Sequence, residues 1–111
     1  MSDYTQRETK TEEQSGEAQV YSGRWARDQV ILLFEELSRG TAIKQVQLRS
    51  RFPDQMANGV ASLEDARAAF VSDHATAIQI RYEYQDALWC DTILPEQGSA
   101  QVIRTQLPME Y

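Results

Sequence analysis

Few residues in this chain can do acid–base or nucleophilic chemistry. His74 is its only histidine and Cys90 its only cysteine. One His and one Cys cannot build a Cys/His zinc knuckle or a His-rich metal centre, and a lone cysteine closes no intramolecular disulfide. A Cys90–His74 nucleophile pair would need a thiolate in an electropositive, half-exposed setting. Cys90 instead sits between Trp89 and Asp91 in an apolar stretch, where a small structural hydrophobe is expected. Gly59 and Gly98 are isolated turn glycines, so there is no phosphate-cradling loop; no G-x-S-x-G, H-E-x-x-H or calcium-loop pattern occurs. No catalytic residue, metal or cofactor is therefore assigned.

Asp91 is the more informative acid. Ile78, Ile80, Tyr82 and Tyr84 alternate with Gln79, Arg81 and Glu83, which predicts a strand. If Gln85-Asp86 is a two-residue turn into the next strand, Tyr82 opposes Trp89, Ile80 opposes Asp91 and Ile78 opposes Ile93. Asp91 then lies on the apolar face, and a buried carboxylate must be paired or shift its pKa. A second turn at 96–99 brings Arg104 opposite it, giving a buried Asp91–Arg104 ion pair. A three-residue first turn would slip the register by one. Leu88, Cys90 and Leu94 would then face inward, and Asp91 would lie near Arg81 outside.

Tyr82, Tyr84 and Trp89 gather at the same hairpin end. Aromatic residues with a polar tip are enriched where proteins bind partners, so these three are the candidate partner-binding residues. The plainer alternative is that they cap the core beneath the first helix.

The elements that must position these groups follow from periodicity. Ala26, Val30, Leu33 and Leu37 form one helical stripe, with Ser22 as N-cap and Gly40 as the stop, which predicts a helix over 23–38. Trp25, Ile31, Leu32 and Phe34 spread apolar surface around it, so a second cover is expected, either core or a homodimer contact through helix 23–38. Residues 42–52 suit a short strand ended by Pro53, though a helix also fits. Pro53-Asp54 and Asn58-Gly59 mark a loop. A second helix opens at Ser62 with an acidic first turn and fades by His74. Strands at 78–84, 88–94 and 100–107 complete a meander. The expected fold is α+β: two helices packed on one face of an antiparallel β-meander of three to four strands.

The 111 residues carry a net charge of −6, distributed unevenly. Residues 1–20 carry −3, residues 21–52 carry +3, residues 53–96 carry −6 and the remainder none. Beyond the initial Met1, residues 1–19 hold one large apolar residue, Tyr4, and are read as a disordered acidic tail ahead of a single domain over 20–111. They contain no apolar core of a secretory signal, and the longest apolar run, Val30 to Phe34, is far below the roughly 20 residues a membrane helix needs. No membrane association and a cytoplasmic location are the expectations.

The acidic balance argues against nucleic acid. A winged-helix DNA-binding reading would need 42–51 to be helical, with Arg49 and Arg51 on phosphate. The leading expectation is a small non-catalytic module that binds a protein partner, in an adaptor, chaperone-like or regulatory role. The alternative is a small-molecule-binding or enzymatic α+β domain with a pocket between sheet and helix.

Overall fold

The computed structural model describes residues 19–51 and 59–108. The tail reading for 1–19 lies, except for Gln19, outside the described residues, as do Pro53 to Asn58 of the expected loop. In chain order the elements are β1 (Val20–Ala26), α1 (Arg27–Gly40), β2 (Ala42–Ser50), β3 (Gly59–Ala61), α2 (Leu63–Val71), β4 (Ala75–Tyr84), β5 (Ala87–Glu96) and β6 (Ser99–Leu107). The strands form one antiparallel sheet in the order β1-β6-β5-β4-β2-β3.

Six strands correct the expected meander of three to four. Both helices and the β4-β5-β6 meander are present, but β2 joins the sheet beside β4, and β1 and β3 flank the two ends. The largest misassignment lies at the start. Gly23, Arg24, Trp25 and Ala26 belong to β1, so the helix expected over 23–38 runs over Arg27–Gly40. Tyr21, Gly23 and Trp25 alternate with exposed Ser22 and Arg24, a period of two that the adjoining helical stripe obscures. Ser22 caps no helix. The residue before α1 is Ala26, whose N–H donates to Gln29 Oε1 at 2.9 Å. β3 has three residues, too short for periodicity to reveal.

α1 buries Val30, Leu33, Phe34 and Leu37 on one stripe. Its outer side carries Leu32 at 54% exposure, so the helix is amphipathic rather than covered all round. α2 begins at Ser62, whose hydroxyl accepts from the Asp65 N–H at 3.0 Å. It buries Ala66, Ala69 and Phe70. Phe34 and Phe70 meet with ring centroids 6.0 Å apart, and Arg27 joins the helices by bonding Asp73 and the Val71 carbonyl. These side chains pack on the inward residues Val46, Leu48, Ile78, Ile80, Ile93 and Val102, forming one core on one side of the sheet. No helix among the described residues is long and apolar enough to cross a membrane.

Candidate functional site

The β4–β5 hairpin turns through Gln85 and Asp86, both with positive φ (52° and 63°), as a two-residue hairpin loop with the twist of its strands requires. This turn sets Tyr84 against Ala87, Tyr82 against Trp89, Ile80 against Asp91 and Ile78 against Ile93. The second turn pairs Glu96 with Ser99, which sets Asp91 against Arg104. Alternation then sends Trp89, Asp91 and Ile93 to the helix-covered face and Leu88, Cys90 and Leu94 to the other.

Asp91 is fully buried. Its Oδ1 accepts from Arg104 Nε at 2.9 Å and from the Tyr82 hydroxyl at 2.9 Å, while Oδ2 accepts from Arg104 Nη2 at 2.8 Å. The fork-on-carboxylate geometry is the strong form of the ion pair, and it compensates the desolvation of the acid. The Arg104 guanidinium also lies 5.9 Å from the centre of the Tyr82 ring. Burial first, then the neighbouring Asp91 charge, push the Tyr82 phenol well above its ordinary pKa. The hydrogen bond to Asp91 holds Arg104 more firmly protonated than usual.

Above this triad the sheet opens into a cavity of about 410 Å³. Its walls are Tyr21, Gly23 and Trp25 from the edge strand β1, Trp89 from β5, and Tyr84 beside Tyr82 at the end of β4. Val102 and Arg104 complete it from β6. The five residues singled out from sequence therefore converge here: Tyr82, Tyr84 and Trp89 line the cavity with Arg104, and Asp91 anchors Arg104 from below. They differ in access. Tyr82 is buried with its hydroxyl on Asp91, Trp89 is half-buried, and Tyr84 is 45% exposed. Sequence reasoning missed the β1 wall, Tyr21, Gly23 and Trp25. The signal was present as alternation, but it was absorbed into the helix.

His74 and Cys90 stay apart from the site. His74 precedes β4 at the end remote from Tyr82, its N–H on the Ala69 carbonyl. Cys90 is buried on the opposite face from Asp91, and burial raises its thiol pKa, which disfavours the thiolate. No group of three or more metal-ligating side chains occurs among the described residues. Residues 42–50 form β2, so they do not supply the second helix of a winged DNA-binding domain. Comparison with known proteins finds no matching family model, no matching curated protein and no matching solved structure.

Proposed function

We propose that this chain is a non-catalytic binding domain whose working part is the aromatic cavity. Its occupant is a planar, largely apolar group that carries a hydrogen-bond acceptor. The observation that carries this reading is the convergence of Trp25, Trp89, Tyr84 and Arg104 around one cavity of about 410 Å³. That volume falls within the roughly 300–1,000 Å³ of small-molecule sites, which are mainly apolar with a few polar groups that fix orientation. Aromatic walls favour a flat ring by offset or edge contact. Arg104 gives Asp91 its Nε–H and one Nη2–H, so Nη1 and the second Nη2–H are the donors outside that pair. Because Asp91 balances its charge, the site suits a carbonyl or carboxylate oxygen better than a multiply charged anion. The distance of His74 from the cavity, and the placement of Cys90 on the opposite face of β5, support binding rather than turnover. A reducing, cytoplasmic setting goes with this proposal, since the lone Cys90 makes no structural disulfide.

A second reading places the same group on a protein partner, as expected of an adaptor. The exposure of Tyr84 at the rim favours it, since a tyrosine there adds contact area around an inserted side chain.

Both tryptophans of the chain, Trp25 and Trp89, line the cavity, so intrinsic fluorescence reports its occupancy. Titration with a naphthoate should give saturable quenching, weaker with naphthalene, which lacks the acceptor. Equal responses would remove Arg104 from recognition. An absence of quenching by any planar aromatic would count against the cavity as a small-molecule site and leave the protein-partner reading.

A further inference from the structure

The face of the sheet away from the helices departs from the alternation of a solvated antiparallel sheet. On β2 and β4 it is polar, with Gln45, Gln47 and Arg49 beside Gln79 and Arg81. On β5 and β6 it presents Leu88, Cys90, Thr92 and Leu94 beside Leu107, Thr105, Ile103 and Gln101. With Trp89 and Ile93 inward on either side of the ion-paired Asp91, β5 carries large apolar residues on both sides. Strands of that composition belong to sheets covered on both faces. Among the described residues, the core cluster lies with the helices on the inner side, and no helix covers the outer one. Val60, 70% exposed and paired with Gln47 on β2, stands at the sheet edge, apart from the apolar strip on β5 and β6 and across the polar residues of β4 and β2.

We propose that a second copy of this chain covers the outer face, forming a twofold dimer with sheets stacked face to face. Size supports this occupant. Five strands about 4.8 Å apart and about ten residues long define a face on the order of 700 Å². That is close to the roughly 800 Å² each partner contributes to a standard interface. Charge supports it as well. The middle row of this face, Gln47, Gln79, Thr92 and Ile103, is uncharged, so it meets its own copy without like-charge opposition. The surround carries both signs: Glu96 paired with Arg24 at 3.2 Å, Glu83 paired with Lys44 at 3.5 Å, and Arg49 and Arg81. A twofold contact brings a patch onto itself, so it requires a surface able to oppose unlike charges. A hollow of about 390 Å³ on this face, lined by Gln47, Arg49, Gln79 and Thr92 as well as Ala77 and Leu94, gives the facing copy polar and apolar contacts together. Stacking here leaves the aromatic cavity open on the inner side, so the two proposals stand or fall separately.

Light scattering of the full chain across the micromolar range tests this. The expected result is twice the chain mass of 12.7 kDa for the wild type. Leu94→Glu and Ile103→Glu should each return the single-chain mass with an unchanged far-UV spectrum, while Leu32→Glu on α1 leaves the dimer intact. Where a central variant fails to fold, Gln79→Arg at an exposed position should weaken dimerisation about tenfold, because it adds a cation to a face that already carries Arg49 and Arg81 and the twofold presents it twice. A wild-type mass of one chain throughout overturns the proposal. So does dissociation by Leu32→Glu instead of the sheet variants, or an unaltered dissociation constant in Gln79→Arg.

Discussion

Asp91 and Arg104 face one another across β5 and β6, joined through Nε–Oδ1 at 2.9 Å and Nη2–Oδ2 at 2.8 Å, and they differ sharply in access to solvent. The carboxylate is fully buried, whereas the Arg104 side chain retains 36% of its exposure and lines the cavity. The acid therefore depends on the base more than the base depends on the acid. One guanidinium links the packing of the sheet to recognition in the cavity.

This asymmetry orders a set of substitutions. Arg104→Leu leaves a buried carboxylate without a counter-charge and should cost about 3–5 kcal/mol. Asp91→Leu leaves a cation that already reaches water, so its cost should be smaller. The double variant should recover much of the Arg104→Leu loss, since neither charge then remains buried and unpaired. Urea denaturation of all four proteins closes the cycle. Additive losses would show that the two side chains contribute independently.

Tyr82 makes stability fall at alkaline pH. Its phenol titrates far above the ordinary value in the folded chain but near 10 once unfolded. Below pH 10 both states hold the proton and the contribution is fully present. Above it the unfolded chain releases the proton first, so stability drops as pH rises, with a limiting slope of about 1.4 kcal/mol per pH unit. Cys90, also raised by burial, acts in the same direction from about pH 9. Tyr82→Phe should be less stable than the wild type at neutral pH, because Asp91 loses a hydrogen bond. The difference between the two should narrow above pH 10. Melting temperatures across pH 7 to about 11.5 measure it, and parallel curves would exclude Tyr82 as the responsible group.

The meander and its register were legible because three local signals agree: alternation in Ile78 to Tyr84, a two-residue turn at Gln85-Asp86, and a carboxylate at 91 that needs a cation. The register that satisfies Asp91 with Arg104 is also the one that buries Ile80 and Ile93. β1 was not legible for a physical reason. Ala26 falls in phase with the stripe of α1 and Trp25 adds to the apolar surface around it, while Ala26 passes directly from ladder to helix without a polar cap. The pairing of β1 with β6 is a contact across most of the chain, which no local pattern encodes. With β1 missing, the aromatics read as a surface patch. With β1 in place, they become the walls of a cavity.

The same turn predicts a stabilised variant. Gln85 and Asp86 both occupy the left-handed region, which Gly and Asn adopt most readily, Asp less readily and Gln only with strain. Gln85→Asn with Asp86→Gly supplies the residues this turn prefers and should add about 1 kcal/mol, or roughly 4–8 °C in melting temperature for a domain of this size. Differential scanning calorimetry checks it. A lower melting temperature would show that the wild-type side chains stabilise the hairpin in ways the turn geometry does not require.

Gly23 offers the cleanest separation of cavity from fold. It pairs with Val102 in the ladder, its φ is not positive, and it lies in the cavity wall. A glycine inside a strand weakens it and marks a place where another group approaches closely. Gly23→Val supplies a strand-favouring side chain that points into the cavity from the same face as Tyr21 and Trp25. The melting temperature should hold or rise, because glycine in a strand costs about 0.5–1 kcal/mol relative to alanine. Naphthoate quenching of Trp25 and Trp89 should weaken by about tenfold or more, the equivalent of roughly 1.4 kcal/mol of lost contact. If affinity is unchanged while the fold is intact, the probe binds elsewhere and the cavity loses its claim. If the variant melts early, Trp89→Ala gives the same readout from the β5 wall, with Trp25 still reporting, so the two walls test one site independently.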